Sequence, residues 1–261
     1  MRRIDGKKIA SEVLAELKKL GVPEKILAIV VPGSQKDASR GFVLGIQAFA
    51  SALGVATRIY YKVAGVTTEG LVDDIEKLAA EECIGGITVV LPLPNDVDQE
   101  KVLAAISTNK DIDCLNPATQ LVIAPAVLVV ERFLATCRPN RDPSCFYIAI
   151  VGMGTLIGRP LHDHFVRRGY WVGSFNSKSV HVLQLVEADL VISGTGVPGR
   201  VRPSILKPGA DLIDFGYPGD VDESDPGLAK VGYYIPSKGG TGPILVACMF
   251  ENFYRLTGLL K

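Results

Sequence analysis

The residues of this sequence best placed to do chemistry are three glycines. Gly152-Met153-Gly154, with Gly158 four positions on, follows the apolar run 146–151 and opens onto a helical pattern. That is the context in which glycine spacing marks a nucleotide turn. Glycine lets the backbone approach a pyrophosphate, and the following helix offers free N–H groups and the positive end of its dipole. The order Gly-x-Gly-x-x-x-Gly is one residue longer than the usual dinucleotide spacing; the plainer alternative is an ordinary strand-to-helix turn. About 20 residues further on, where a carboxylate would bind the ribose hydroxyls of NAD, the chain reads Phe175-Asn176-Ser177-Lys178. A hydroxyl and an ammonium there suit an additional 2′-phosphate, so NADP is the expected cofactor, with NAD possible. Gly194-Thr195-Gly196 and Gly239-Gly240-Thr241-Gly242-Pro243 also permit close backbone approach to a ligand, or serve as simple loops.

Other chemistries lack their residues. His162 and His164 stand two apart on an expected helix and so on different faces, which disfavours a metal pair. The five cysteines are scattered and never spaced Cys-x-x-Cys, so neither a disulfide framework nor a zinc knuckle is expected, and a reducing cytoplasm fits best. There is no Gly-x-Ser-x-Gly elbow, Walker loop or His-Glu-x-x-His. With 28 basic and 28 acidic residues the formal net charge is zero, which leaves no electrostatic footprint for nucleic acid. The N-terminus has no apolar signal-like stretch, and the longest apolar run, near 121–130, is interrupted by Pro125, so no membrane association is expected.

The elements that must position these residues follow from periodicity. In the first half, β-rich runs at 27–31, 57–63 and 87–91 alternate with amphipathic segments at 39–53 and 68–81. This is βαβαβ, hence an α/β fold with a parallel sheet covered by helices. A Pro-rich crossover at 92–117 leads to an apolar helix at about 119–137, and the polar stretch 138–143 reads as the clearest linker. A second series follows: strand 146–151, helix 156–168, strand 171–175, helix 180–187 and strands 190–193 and 211–214. The expected organisation is an N-terminal α/β substrate domain (1–118), a Rossmann-type NAD(P)-binding domain (119–242) and a C-terminal helix (243–261).

Taken in order, a set of segments resembles one family along nearly the whole chain, the bifunctional methylenetetrahydrofolate dehydrogenase/cyclohydrolases. They are Ile4-Asp5-Gly6-Lys7, Ala38-Ser39 with Phe42-Val43, Gly86-Ile87 leading to Leu91-Pro92-Leu93-Pro94, and Lys110-Asp111-Ile112-Asp113. The second half adds Gly152 through Gly158-Arg159-Pro160, Ser177-Lys178-Ser179, 188–193, Lys207-Pro208-Gly209-Ala210 and 239–243. The resemblance implies a substrate cleft between the two domains, a homodimer, and a last helix returning to the first domain. It also implies oxidation of 5,10-methylenetetrahydrofolate to the methenyl form with a nicotinamide cofactor, followed by hydrolysis to 10-formyltetrahydrofolate.

The departures bear on mechanism. The family's stacking tyrosine falls on Phe42, its catalytic lysine on Ile46, and the glutamine that partners the lysine on Val90. Phe42 keeps a stacking face, but Ile46 has neither proton nor charge to lend. Asp113 stands where the family's aspartate holds the pterin amino groups, the alternative being a turn or cap acid. Phe42, Ile46, Val90, Pro92 and Asp113 are therefore the expected substrate contacts. The cofactor side changes as well: Met153 replaces an arginine able to meet a 2′-phosphate, and Leu245 a threonine. Three readings stand: a folate dehydrogenase with its cyclohydrolase step lost, a catalytically silent homologue that binds a ligand or another subunit, and a dehydrogenase for another small substrate.

Overall fold

The computed structural model describes residues 1–33, 37–62, 65–176 and 185–261. In chain order the elements are β1 (Arg2–Arg3), α1 (Gly6–Lys19), β2 (Ile26–Pro32), α2 (Asp37–Leu53), β3 (Thr57–Lys62), α3 (Thr68–Ala80), β4 (Ile84–Val89), α4 (Gln99–Ala104) and α5 (Pro125–Cys137). There follow β5 (Tyr147–Val151), α6 (Gly158–Arg167), β6 (Trp171–Phe175), β7 (Leu190–Ser193), β8 (Asp211–Asp214), β9 (Tyr233–Ile235) and α7 (Gly242–Leu256). They form two compact units: Ala10–Pro125 with Val246–Lys261, and Met1–Ile9 with Ala126–Leu245.

The unit holding residues 10–125 and 246–261 carries a parallel three-stranded sheet in the order β3-β2-β4. Side chains alternate across a strand. Leu27, Ile29 and Val31 of β2 therefore face α1, α2 and α7 through Val13, Leu17, Val43, Ile46, Ala50, Phe250 and Phe253. Ala28 and Val30 face α3 and α4 through Leu71, Ile75, Leu78, Val102 and Leu103. Burial on both faces is why β2 reads as an unbroken apolar run.

The unit holding residues 1–9 and 126–245 is built on a six-stranded parallel sheet in the order β1-β9-β8-β7-β5-β6. From β5 the chain adds β6 on one side and then returns to add β7 on the other. The strand order thus reverses beside β5, and ligands of such sheets bind at the carboxyl ends of the strands at that place.

Several boundaries differ from the sequence reading. The strand expected at 87–91 is β4, Ile84–Val89; it starts early because Gly85 and Gly86 leave room for Lys25, Thr257 and Phe253, the last within 2.6 Å of where a Cβ on Gly86 would stand. The helix expected from 119 begins at Pro125, whose fixed φ and missing N–H suit a first helical position. The 138–143 stretch lies inside a unit, and the division between units falls after Pro125 instead. Arg138 is pinned there, donating Nε and Nη2 to buried Asp211 at 2.8 and 2.9 Å. Residues 1–9 belong with 126–245, since β1 pairs with β9, and not with 10–118 as their order suggested. Most of the helix expected at 180–187 lies outside the described residues. Among those described, no helix is long and apolar enough to cross a membrane.

Candidate functional site

At the carboxyl ends of β5 and β7 two glycine turns lie side by side. Gly152 N–H donates to Phe175 O at 2.7 Å, and Gly194 N–H to Val151 O at 2.9 Å. Gly152 has φ +98°, and a Cβ on it would stand 2.8 Å from Gly194 O. A Cβ on Gly158 would stand 1.9 Å from Gly152 O, so these two glycines are demanded by the chain's own packing. Around Gly154 a Cβ would meet nothing within 4 Å. Half-buried Met153 lies between them. No side chain caps the start of α6, whose N-cap position is Ile157. Arg159 N–H is spent on Gly154 O at 3.1 Å and Pro160 has none, so it is Gly158 N–H that the helix start leaves for an anion, and with the open space at Gly154 the turn can take the pyrophosphate of a dinucleotide.

Asn176, exposed, directly follows β6; Ser177 and Lys178 lie outside the described residues. The second turn, Gly194-Thr195-Gly196, is tied down by a residue the sequence reading missed. Fully buried Asp220 accepts from Ser193 Oγ at 2.5 Å, Thr195 N at 2.6 Å and Val197 N at 2.9 Å. Asp214 in turn accepts from the backbone N–H of Gly216, Asp220 and Val221 at 2.8, 2.8 and 3.1 Å. Burial pushes the Asp214 carboxyl up to about 6 against these bonds. The signal in the sequence was two acids bracketing Phe-Gly-Tyr-Pro-Gly straight after a strand, a turn that needs side-chain acceptors. Gly240 is buried, and a Cβ on it would stand 2.8 Å from Pro236 Cδ and 3.0 Å from Ile235 Cγ2, so close packing of the chain already explains its small size.

The residues expected to meet a substrate gather in the other unit. Phe42 and Ile46 stand one turn apart on the same face of α2. Ile46 exposes no surface; it lies with Val90, 4% exposed, in the core beneath α2, and half-buried Phe42 packs on that core. Exposed Pro92 follows Leu91 through a cis peptide bond. Thr88 pairs with Ile29 of β2, so Gly86, Thr88 and Val90 point to the same side as Ile46.

Asp113 reaches this face from the loop after α4. Its Oδ2 accepts from buried Thr88 Oγ1 at 3.2 Å. The loop is organised by Asp111, fully buried, which accepts from Thr119 Oγ1 at 2.7 Å, Asn116 N at 2.8 Å, Leu115 N at 3.1 Å and Asp113 N at 3.3 Å. Asn252 of α7 closes it, donating to Ile112 O at 2.9 Å and Ile123 O at 2.8 Å. The turn-forming acid is therefore Asp111. Asp113 is spared that work, and burial together with the Asp111 charge lifts its carboxyl to about 7, Thr88 pulling the other way. Phe42, Ile46 and Val90 thus share one core, and Asp113 joins the same side of the sheet through Thr88; of these four only Asp113 titrates. Of the histidines considered, His164 Nε2 lies 2.8 Å from Glu131 Oε1, a local pair.

Comparison with known proteins agrees over nearly the whole chain. Residues 4–113 match the family model of the tetrahydrofolate dehydrogenase/cyclohydrolase catalytic domain, and 138–259 that of its NAD(P)-binding domain. The bifunctional protein FolD of Rickettsia bellii is 31% identical, with 95% of each chain covered. That of Halothermothrix orenii is 30% identical at the same coverage. Among solved structures, FolD from Campylobacter jejuni superposes with a TM-score of 0.87 at 24% identity, covering 98% of both chains. The Trypanosoma brucei enzyme, complexed with NADP cofactor and inhibitor, does so with 0.85 at 25% identity, covering 97% of this chain and 96% of its own.

Proposed function

We propose that this chain, which belongs to the tetrahydrofolate dehydrogenase/cyclohydrolase family, performs the dehydrogenase step with NADP and gives little acceleration to the hydrolysis that follows. The observation that carries this reading is Ile46: the position of the family's lysine is an alkyl chain with no exposed surface, sealed in a core shared with Val90.

The two half-reactions make different demands. Oxidation removes a hydride from the methylene carbon and leaves a cation delocalised over two nitrogens; no proton moves. Its main requirement is that two carbon centres be held in register. Hydrolysis adds water to that cationic carbon, so the water must lose a proton and the departing nitrogen must gain one. A positioned acid or base contributes roughly 10²–10⁴-fold to such steps, and Ile46 and Val90 can do neither. Phe42 retains an aromatic face for the pterin, and Asp113 an acceptor for its amino groups.

The cofactor, when bound, supplies the hydride acceptor. The residues that would hold it are Gly152, Met153, Gly154 and the start of α6 at the pyrophosphate, with Asn176, Ser177 and Lys178 at the adenosine ribose. Thr195 and Gly196, on the turn stapled by Asp220, complete the cradle. Lys178 carries the NADP preference, since Met153 brings no charge to a 2′-phosphate.

Incubating the protein with 5,10-methylenetetrahydrofolate and either cofactor tests this through absorbance of the reduced nicotinamide. Turnover is expected with both, at lower KM for NADP, and Lys178→Ala should raise the KM for NADP about tenfold while leaving that for NAD within about twofold. Absence of turnover with either cofactor, while calorimetry shows both ligands binding, would make the chain a silent homologue instead.

A further inference from the structure

Thr88 is the one polar side chain that β4 turns toward the apolar face shared by Ile46 and Val90, and among the described strand residues it is the one that hydrogen-bonds the Asp113 side chain. A buried hydroxyl needs an acceptor. On this face the acceptor is Asp113 Oδ2, at 3.2 Å. Asp111 is already engaged by four donors. Asp113 Oδ1 has no hydrogen-bond donor among the described residues, so the carboxyl is held by one oxygen and open at the other.

From this geometry we infer that Thr88 is the positioning residue of the substrate site: it fixes the Asp113 carboxyl with one oxygen presented to the ligand and favours its ionised, accepting form. The inference rests on the reading that Asp113 receives the pterin amino groups. The charged and titratable groups around Asp113 are few. Asp111, on the same loop, repels its charge, and the Cys114 thiol beside it is pushed up by burial and by both aspartates. Lys110, the nearest cation along the loop, is turned away, its Nζ donating to Ala79 O and Glu81 O at 2.6 and 2.9 Å. From β4 comes only the Thr88 hydroxyl; from α2 and α7 come the apolar Phe42 and Ile46 and the neutral Asn252 amide, whose nitrogen is spent on Ile112 and Ile123. With no cation among the described residues to hold the charge, a single hydroxyl has leverage.

The sign follows from which form accepts. A ligand that donates N–H groups binds ionised Asp113, so its affinity rises with pH through about 7. Removing a hydrogen bond made to the ionised form moves that midpoint upward, by about one unit for a bond of ordinary strength. Thr88→Val keeps the shape and deletes the hydroxyl, Thr88→Ser keeps the hydroxyl, and Thr88→Ala serves if valine is not tolerated. The first readout is the Asp113 carboxyl resonance in ligand-free protein by carbon NMR, assigned through its loss in Asp113→Asn. Thr88→Val or Thr88→Ala should titrate about one unit above wild type, and Thr88→Ser with it. The second is tetrahydrofolate affinity against pH. Thr88→Val should bind about fivefold more weakly at pH 7 and equally at pH 9, the ionised fraction at pH 7 falling from about a half to about a tenth.

A carboxyl that titrates identically in wild type, Thr88→Val and Thr88→Ala would overturn the inference, as would equal weakening of folate binding at both pH values. If instead tetrahydrofolate does not bind the wild type at all, the substrate reading fails, while the ligand-free titration still decides whether Thr88 governs Asp113.

Discussion

Ile46→Lys alone is expected to destabilise the protein by about 3–5 kcal/mol, the cost of leaving an unpaired charge in an apolar interior. Ile46 exposes nothing, and Leu27, Ile29, Val43, Ala50 and Val90 belong to the same core. An ammonium placed there would lie among aliphatic side chains, with no acid on the sheet strands beneath it and with Asp113 held at Thr88 rather than at position 46, so its pKa would fall. The triple variant Phe42→Tyr, Ile46→Lys, Val90→Gln gives the amine an amide and a hydroxyl as neighbours. It should recover part of the lost stability, because members of one polar network are not additive. Denaturant unfolding of the single and triple variants measures this. A single variant as stable as wild type would mean that position 46 is not sealed, and that the apolar pocket argument is mistaken.

The second large effect lies at the nucleotide turn, where two glycines of one motif should behave in opposite ways. Gly158→Ala would drive a methyl group to 1.9 Å from Gly152 O, a backbone atom that cannot step aside. Overpacking of that severity costs about 3 kcal/mol or more, and the displaced turn should bind NADP at least ~100-fold more weakly, a loss of about 2.8 kcal/mol. Gly154→Ala puts a methyl into open space with no strained dihedral to oppose it. Stability should stay within about 0.5 kcal/mol of wild type. Its cofactor affinity should nevertheless fall, since the space left empty by the chain is what a pyrophosphate needs. Thermal unfolding beside NADP titration separates the two; unchanged affinity in Gly154→Ala would remove the turn from the cofactor site.

These contrasts mark what could be read from residue types and what could not. Strands 171–175, 190–193 and 211–214 were legible to the residue, because short apolar runs between turn signals have few other uses. The strand β1 was not: two exposed arginines carry no periodicity, and only their pairing with Tyr233 and Tyr234 makes them a strand. The 138–143 stretch has the polar, Pro-containing composition of a linker, yet Arg138 reaches a buried aspartate more than seventy positions away, a contact no local pattern encodes. In the site, the motif led to Asp113 but not to Thr88, since a threonine in a strand is ordinary until its acceptor is seen. Asp220 was hidden in the same way, its role being to hold backbone N–H groups of a turn more than twenty positions away, whereas Asp214 holds those of the turn that directly follows it.

Hydrolysis of 5,10-methenyltetrahydrofolate by the purified wild-type protein, followed by the decay of the methenyl chromophore against the buffer rate, tests the role of position 46 most directly. The rate expected is close to the uncatalysed one, in a preparation that reduces NADP with the methylene compound. A hydrolysis rate roughly 10²-fold or more above buffer, the range a positioned proton donor provides, would contradict it and show that some group other than one at position 46 moves the proton.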